Sequence, residues 1–416
     1  MKKSICIYFQ IHHPERLRKY QFFDIGKKHN YFDNYANRSE LEDLAEHCYL
    51  PANALLLELI NKYKGKFKVA FSITGSAIDQ LEMHTPEVIR SFQELAQTGS
   101  VEFLAETYSH SLASLSDDTD EFEQQVKRHT TAIKQIFGKK PVTFRNTSLI
   151  YSDTIGERVA KLGFKTMLTD GAKHVLGWKS PNFVYKNAID ENLNLLLKNS
   201  KLSDDIAIRF SDRNWSEYPL TSEKYISWVK NSLQDSEVLN LFMNYEVIGY
   251  YNNAQSGIFD FLRYFIIYMM EDDNYQFLLP KEVAKKYPAK DVLPVPYPIS
   301  WTDEERDTTS WLGNELQKEA FQELFKIQAE VRKKKNADLI DDYTRLQASE
   351  HFYFMRTKLF SGADYHKYRL PYDSPYEAFI NYMNVLSDFI ERCKPHEQEE
   401  VQTTQVTKKK SQTRKK

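Results

Sequence analysis

The chain has 416 residues, 41% of them hydrophobic and 14% aromatic, which is enough to bury one large core together with an appended domain. Its formal charge is −2, and six positive charges lie in the last nine residues, KKKSQTRKK, so the body is acidic and tight nucleic-acid binding by it is excluded. Cys6, Cys48 and Cys393 stand far apart in no metal-type spacing, which points to reduced thiols in a cytoplasm rather than a disulfide framework.

The first segment, MKKSICIYFQIHHPERL, is basic and then apolar, but Gln10 and His12 interrupt it and no small-residue cleavage site follows, so it reads as a strand rather than a signal peptide. Short apolar or alternating runs then recur: KFKVAFSIT, VEFLAET, VTFRNT, KTMLTD, LNLLLKN, VLNLFMNYE and YQFLLP. Between them lie helical patterns, LEDLAEHCYLPANALLLELINKY, PEVIRSFQELAQ starting at Pro86, and DEFEQQVKRHTTAIKQIF ending at Gly138. Alternation of this kind predicts an α/β fold with a largely parallel sheet, closed as a barrel. The block IFDFLRYFIIYMM contains Asp260 and Arg263 and is shorter than the roughly 20 residues of a membrane span, so no membrane partner is expected.

Beyond residue 290 a proline-rich connector, DVLPVPYPISW, leads into helical stretches from Thr308 to Lys358 and from Ser374 to Lys394. The expected division is therefore 1–290 barrel, 291–394 helical domain and 395–416 disordered basic tail.

Most strand runs end in polar residues: His12, then Gln80 just past the second run, Glu106, Arg145 with Asn146, Asp170, and Asn244 with Glu246. In a (β/α) barrel the C-terminal strand ends are where chemistry sits. Two carboxyl groups about 5 Å apart, one attacking and one protonating, would define a retaining glycosidase. Glu106 supplies one of them, but the matching strand end carries Asn244, and an amide has no proton to give at neutral pH. Alternation along the strand places Asn244 and Glu246 on one side.

The segments FQIHHPERLR, FSITGSAIDQLE, VEFLAETYSHSL, LFMNYEVIGYY and ISWTDEERDTTSWLGN occur in the order of the five sequence regions of glycoside hydrolase family 57, and the chain resembles the α-amylase branch of that family. The resemblance implies an incomplete (β/α)7 barrel followed by a C-terminal helical bundle, acting on α-1,4-glucans or maltooligosaccharides with retention and without metal or organic cofactor. It also implies Glu106 as nucleophile and Asn244 in the proton donor's place, where the family shows Asp-Tyr-Glu and this chain has Asn-Tyr-Glu. Hydrolysis is expected to be impaired, unless Glu246 serves as a substitute acid through a pKa raised by burial. Two further departures are His12-His13-Pro14 where the first region has His-Gln-Pro, and Tyr250-Tyr251 where the amylases carry an acidic residue and His.

Further substrate contacts are assigned to His12 and Gln80, to Trp178, Trp215 and Trp301 as rings that stack on a glucose face, and, following the family's fifth region, to Asp303. Arg145 and Asp170 read as a charged pair closing the barrel rim. Two other function classes stay open: a non-catalytic α-glucan-binding protein of glycogen metabolism, and a metal-dependent deacetylase, for which a His-x-x-x-His pair and an Asp partner for His12, His13 or His110 are missing.

Overall fold

The computed structural model describes residues 2–358 and 370–394. The expected 395–416 tail lies outside them.

Eight strands organise the barrel: β1 (Lys3–Ile11), β2 (Val69–Ile73), β3 (Val101–Phe103), β4 (Thr143–Arg145), β5 (Thr166–Asp170), β6 (Val184–Asn187), β7 (Asn194–Lys198) and β8 (Val238–Asn244). Seven of them follow one another in parallel around a ring. β8 pairs with β1, β1 with β2, β2 with β3, β4 with β5, β5 with β7, and β7 touches β8 only at Lys198 and Asn240. The remaining seam, between β3 and β4, is closed just past β3, where the Ala105 amide donates to Thr143 at 2.9 Å and Arg145 donates to Ala105 at 2.8 Å.

The seam between β7 and β8 is thin because β6 runs antiparallel along the first half of β7 and occupies the edge that β8 would need. The result is an incomplete (β/α)7 barrel with a helical C-terminal region. The expected strand YQFLLP forms as Tyr275–Phe277 and lies in parallel beside the beginning of β1. The sheet also runs past residue 290, since Asp291–Leu293 pairs with β6.

Each strand divides its side chains by alternation. In β1, Ile5, Ile7, Phe9 and Ile11 pack outward on the helices, while Cys6 and Tyr8 join Ala70, Leu104, Leu168, Leu196, Val238 and Phe242 in a cluster inside the barrel. Continuing each inward column by two residues reaches a polar group at the C-terminal rim: Gln10, Ser72, Glu106, Arg145, Asp170, Lys198 and Asn244. The rim chemistry is thus the top layer of an apolar barrel interior.

The expected single helix over 41–63 is instead Asn34–Leu44, a wide turn Ala45–Tyr49, and Leu50–Lys62. Pro51 explains the wide turn, because it has no N–H to donate and its ring would clash with the carbonyl of His47. The long helical stretch expected over 308–358 is likewise divided into five helices, from Thr309–Leu312 to Ser349–Tyr353. These helices and Pro375–Cys393 share one apolar core with the barrel, in which Trp311, Leu324, Tyr343 and Phe389 cluster with Phe144, Met167, Leu195 and Leu197. Among the described residues no helix is long and apolar enough to cross a membrane.

Candidate active site

Glu106 sits at the top of the β3 column, fully buried. Both of its oxygens accept hydrogen bonds: Ser72 Oγ donates to Oε1 at 2.6 Å and Arg145 Nη1 to Oε2 at 3.2 Å. Its amide donates to His129 Nδ1 at 3.3 Å, and His129 Nε2 donates to the Ile73 carbonyl at 2.7 Å. Burial pushes the His129 imidazole below its ordinary pKa, which fits the neutral ring these two bonds require. Arg145 therefore pairs with Glu106 and also donates to Gln10 Oε1. The expected Arg145–Asp170 pair does not form; Asp170 accepts from Ser200 at 2.8 Å and faces Arg306 at 3.9 Å.

Asn244 ends β8 in register with Gln10, and Gln10 is in register with Ser72. Asn244 and the Ser72 that holds Glu106 are thus two strand spacings apart, each about 4.8 Å. Asn244 Oδ1 is buried without a hydrogen-bond partner among the described residues.

The strand ends at Asn244, so Glu246 lies in a tight turn, Tyr245–Val247, and strand alternation does not carry it to the cleft as expected. The turn does. Gln10, His12, Asn244, Glu246, Tyr250 and Tyr251 line one cavity of about 20 Å³. That is room for a single water, not for a sugar ring.

The wide helical turn before Pro51 fixes this segment. Tyr49 donates its hydroxyl to Glu246 Oε1 at 2.6 Å, and Cys48 Sγ donates to the Tyr245 carbonyl at 3.2 Å. At Gly249 (φ +102°) any Cβ would fall 2.2 Å from the His47 carbonyl, so only glycine lets the chain pass. Burial raises Glu246 to a pKa of about 7, against the opposing Tyr49 hydrogen bond.

A second network comes from the helical region. Gln10 Nε2 donates to His110 Nε2 at 2.8 Å, leaving His110 Nδ1 to donate to Glu350 Oε1 at 3.0 Å. Thr74 Oγ1 meets His12 Nδ1 at 2.9 Å, and His12 Nε2 donates to Glu350 Oε2 at 3.0 Å. Burial holds His110 down to about 3, outweighing the neighbouring carboxylate. Burial works to raise the Glu350 carboxyl, but the two imidazoles hold it well below the usual carboxylate range. His12, His110 and Glu350 present donor atoms within 4.8 Å of one another, a grouping that suits a metal ion, yet each of those atoms already has a hydrogen-bond partner within the group. Glu350 was missed by sequence reasoning, having no local signal and lying 240 residues beyond His110.

The other expected substrate contacts lie outside the cavity. Gln80 clamps His13, meeting its Nδ1 at 3.0 Å and donating to its carbonyl at 2.9 Å. Trp301 is buried in the barrel mouth, edge-on to Phe242 and under Lys198 Nζ at 4.5 Å, so it cannot offer a ring face to a sugar as it stands. Asp303 is also buried and accepts from Ser310 Oγ at 2.7 Å. Trp215 is half-buried against Trp228, and Trp178 is 93% exposed.

The structure is an incomplete barrel of parallel strands whose C-terminal rim carries a buried carboxylate, Glu106, past β3 and an amide, Asn244, at the end of β8, with β1 and β2 between them. The chain belongs to glycosyl hydrolase family 57, whose model matches residues 6–296. It is 37% identical over 400 residues to a protein of Methanocaldococcus jannaschii named "Putative alpha-amylase", covering 92% of this chain and 84% of that one. Among solved structures, the family 57 branching enzyme of Pyrococcus horikoshii is similar, with TM-score 0.66, 12% identity, and 95% of this chain and 93% of that chain covered. The 4-alpha-glucanotransferase of Thermococcus litoralis is similar too, with TM-score 0.66 and 12% identity; 95% of this chain is covered but only 61% of the transferase. At such identities the two structures speak for the fold alone.

Proposed function

We propose that the chain engages α-1,4-glucans at the C-terminal rim of the barrel and cleaves them, with retention, only slowly. Glu106 attacks the anomeric carbon, the glycosidic C–O bond breaks, and the leaving oxygen needs a proton. Asn244 has none to give, and losing general-acid assistance costs on the order of 10²- to 10⁴-fold in rate. Glu246, which lines the same cavity as Asn244 and has a raised pKa, donates in Asn244's stead. The observation that supports the reading is a buried, doubly anchored Glu106 on a barrel rim where β8 ends in Asn244, an amide with its oxygen unpartnered among the described residues. The names of the amylase, branching and transferase relatives support the glucan as substrate class.

Nitrophenyl maltosides, whose leaving group needs no proton, test it. Relative to maltooligosaccharides they are expected to be turned over at least about 10²-fold faster. Equal and rapid hydrolysis of both contradicts the reading.

One observation favours a second reading, that the chain holds glucans without turnover: Glu106 is wholly covered, so a glucan on the surface of the rim does not meet it. Calorimetry that detects maltoheptaose binding, with no product even from the nitrophenyl substrate, selects it.

A further inference from the structure

At the opposite end of the barrel from Glu106, where β4, β5 and β7 begin, a cavity of about 790 Å³ opens to solvent. This is well within the size range of sites for small organic ligands. Lys127 reaches it from the helix Asp120–Phe137, Lys140 from the turn before β4, Lys165 from the residue before β5, and Lys281 and Lys285 from successive turns of the helix Pro280–Lys286. Among the described residues Glu123 is the single carboxylate in the lining.

Lys68, Lys179 and Lys198, outside this cavity, pair with Glu282, Asp291 and Asp204. None of the five lysine ammonium groups around this cavity is ion-paired among the described residues. Five like charges gathered from four segments, in a chain of net charge −2, repel one another and concentrate anions in the space between them. The floor differs from the rim. Val126, Leu162, Phe164 and Ala284 supply apolar surface, which inorganic phosphate cannot use.

We propose that this pocket binds a phosphorylated organic metabolite, its phosphate among the lysines and its organic body against Leu162 and Phe164. The site is separate from the glucan rim, and the proposal does not rest on the reading of that rim.

Calorimetry of the full chain with ADP, a hexose monophosphate, pyrophosphate and adenosine tests it. ADP or the hexose phosphate is expected to bind saturably, and to do so more weakly as salt is raised. Replacing the exposed Lys140, Lys165 and Lys281 together by Gln is expected to weaken that binding at least about tenfold, with the melting temperature unchanged. Adenosine, lacking phosphate, is expected not to bind. Absence of saturable binding by both phosphorylated organic probes, binding that survives the triple substitution, or pyrophosphate binding as tightly as either probe would overturn the assignment.

Discussion

In the proposed mechanism Glu246 is the residue on which residual chemistry turns. Its raised pKa means that the folded chain holds this proton more tightly than the unfolded chain, whose carboxyl titrates near 4.5. By linkage Glu246 contributes stability below the unfolded value that is lost as pH rises through about 7. Glu246→Gln, which cannot ionise, should therefore gain stability relative to the wild type as pH is raised from about 5 to about 8, by up to a few kcal/mol. Thermal melts of the two proteins across that range check it, and parallel curves would mean that Glu246 is not proton-retaining. The same variant should lose any residual activity on maltooligosaccharides while keeping that on nitrophenyl maltosides, because only the former needs its proton.

At the scale of elements, the decisive pieces are the wide turn before Pro51 and the helix Ser349–Tyr353. The second carries Glu350 into the barrel, where it fixes which nitrogen of His12 and of His110 bears the proton. Glu350→Gln removes the charge and presents an amide N–H to one imidazole N–H. A loss of about 2–4 kcal/mol in denaturant unfolding is expected, since hydrogen bonds to charged groups are each worth about 1.5–3 kcal/mol. A loss below about 0.5 kcal/mol would show that the network does not hold the two parts together.

Much of this layer was legible in the sequence. The strand runs, Pro86, Gly138 and the rim positions Glu106, Asn244 and Asp170 follow from alternation and capping, which are local. Gln10 and Ser72 belong to the same inward columns and were readable by extending the period of two. Glu350 was not, because its role exists only after the chain returns from the helical region. The burial of Trp301 and Asp303 was not legible for a related reason: a polar sequence neighbourhood does not reveal that both side chains turn inward, to the barrel mouth and the Ser310 hydroxyl.

For the whole molecule, the single apolar core joining helices to β4, β5 and β7 predicts one cooperative unfolding transition rather than two. Trp311→Ala should lower the stability of the entire chain by about 3–5 kcal/mol, seen as a shift of a single calorimetric peak. Two separated peaks, with only one displaced, would contradict a shared core.

The proposed function makes one central claim, that the amide at residue 244 is what limits glucan turnover. Turnover of a soluble maltooligosaccharide by Asn244→Asp, set beside that of the wild type, measures it most directly. The account predicts a gain of about 10²-fold or more from that one atom-for-atom exchange. An Asn244→Asp protein that binds the maltooligosaccharide and is no faster than its parent would contradict it.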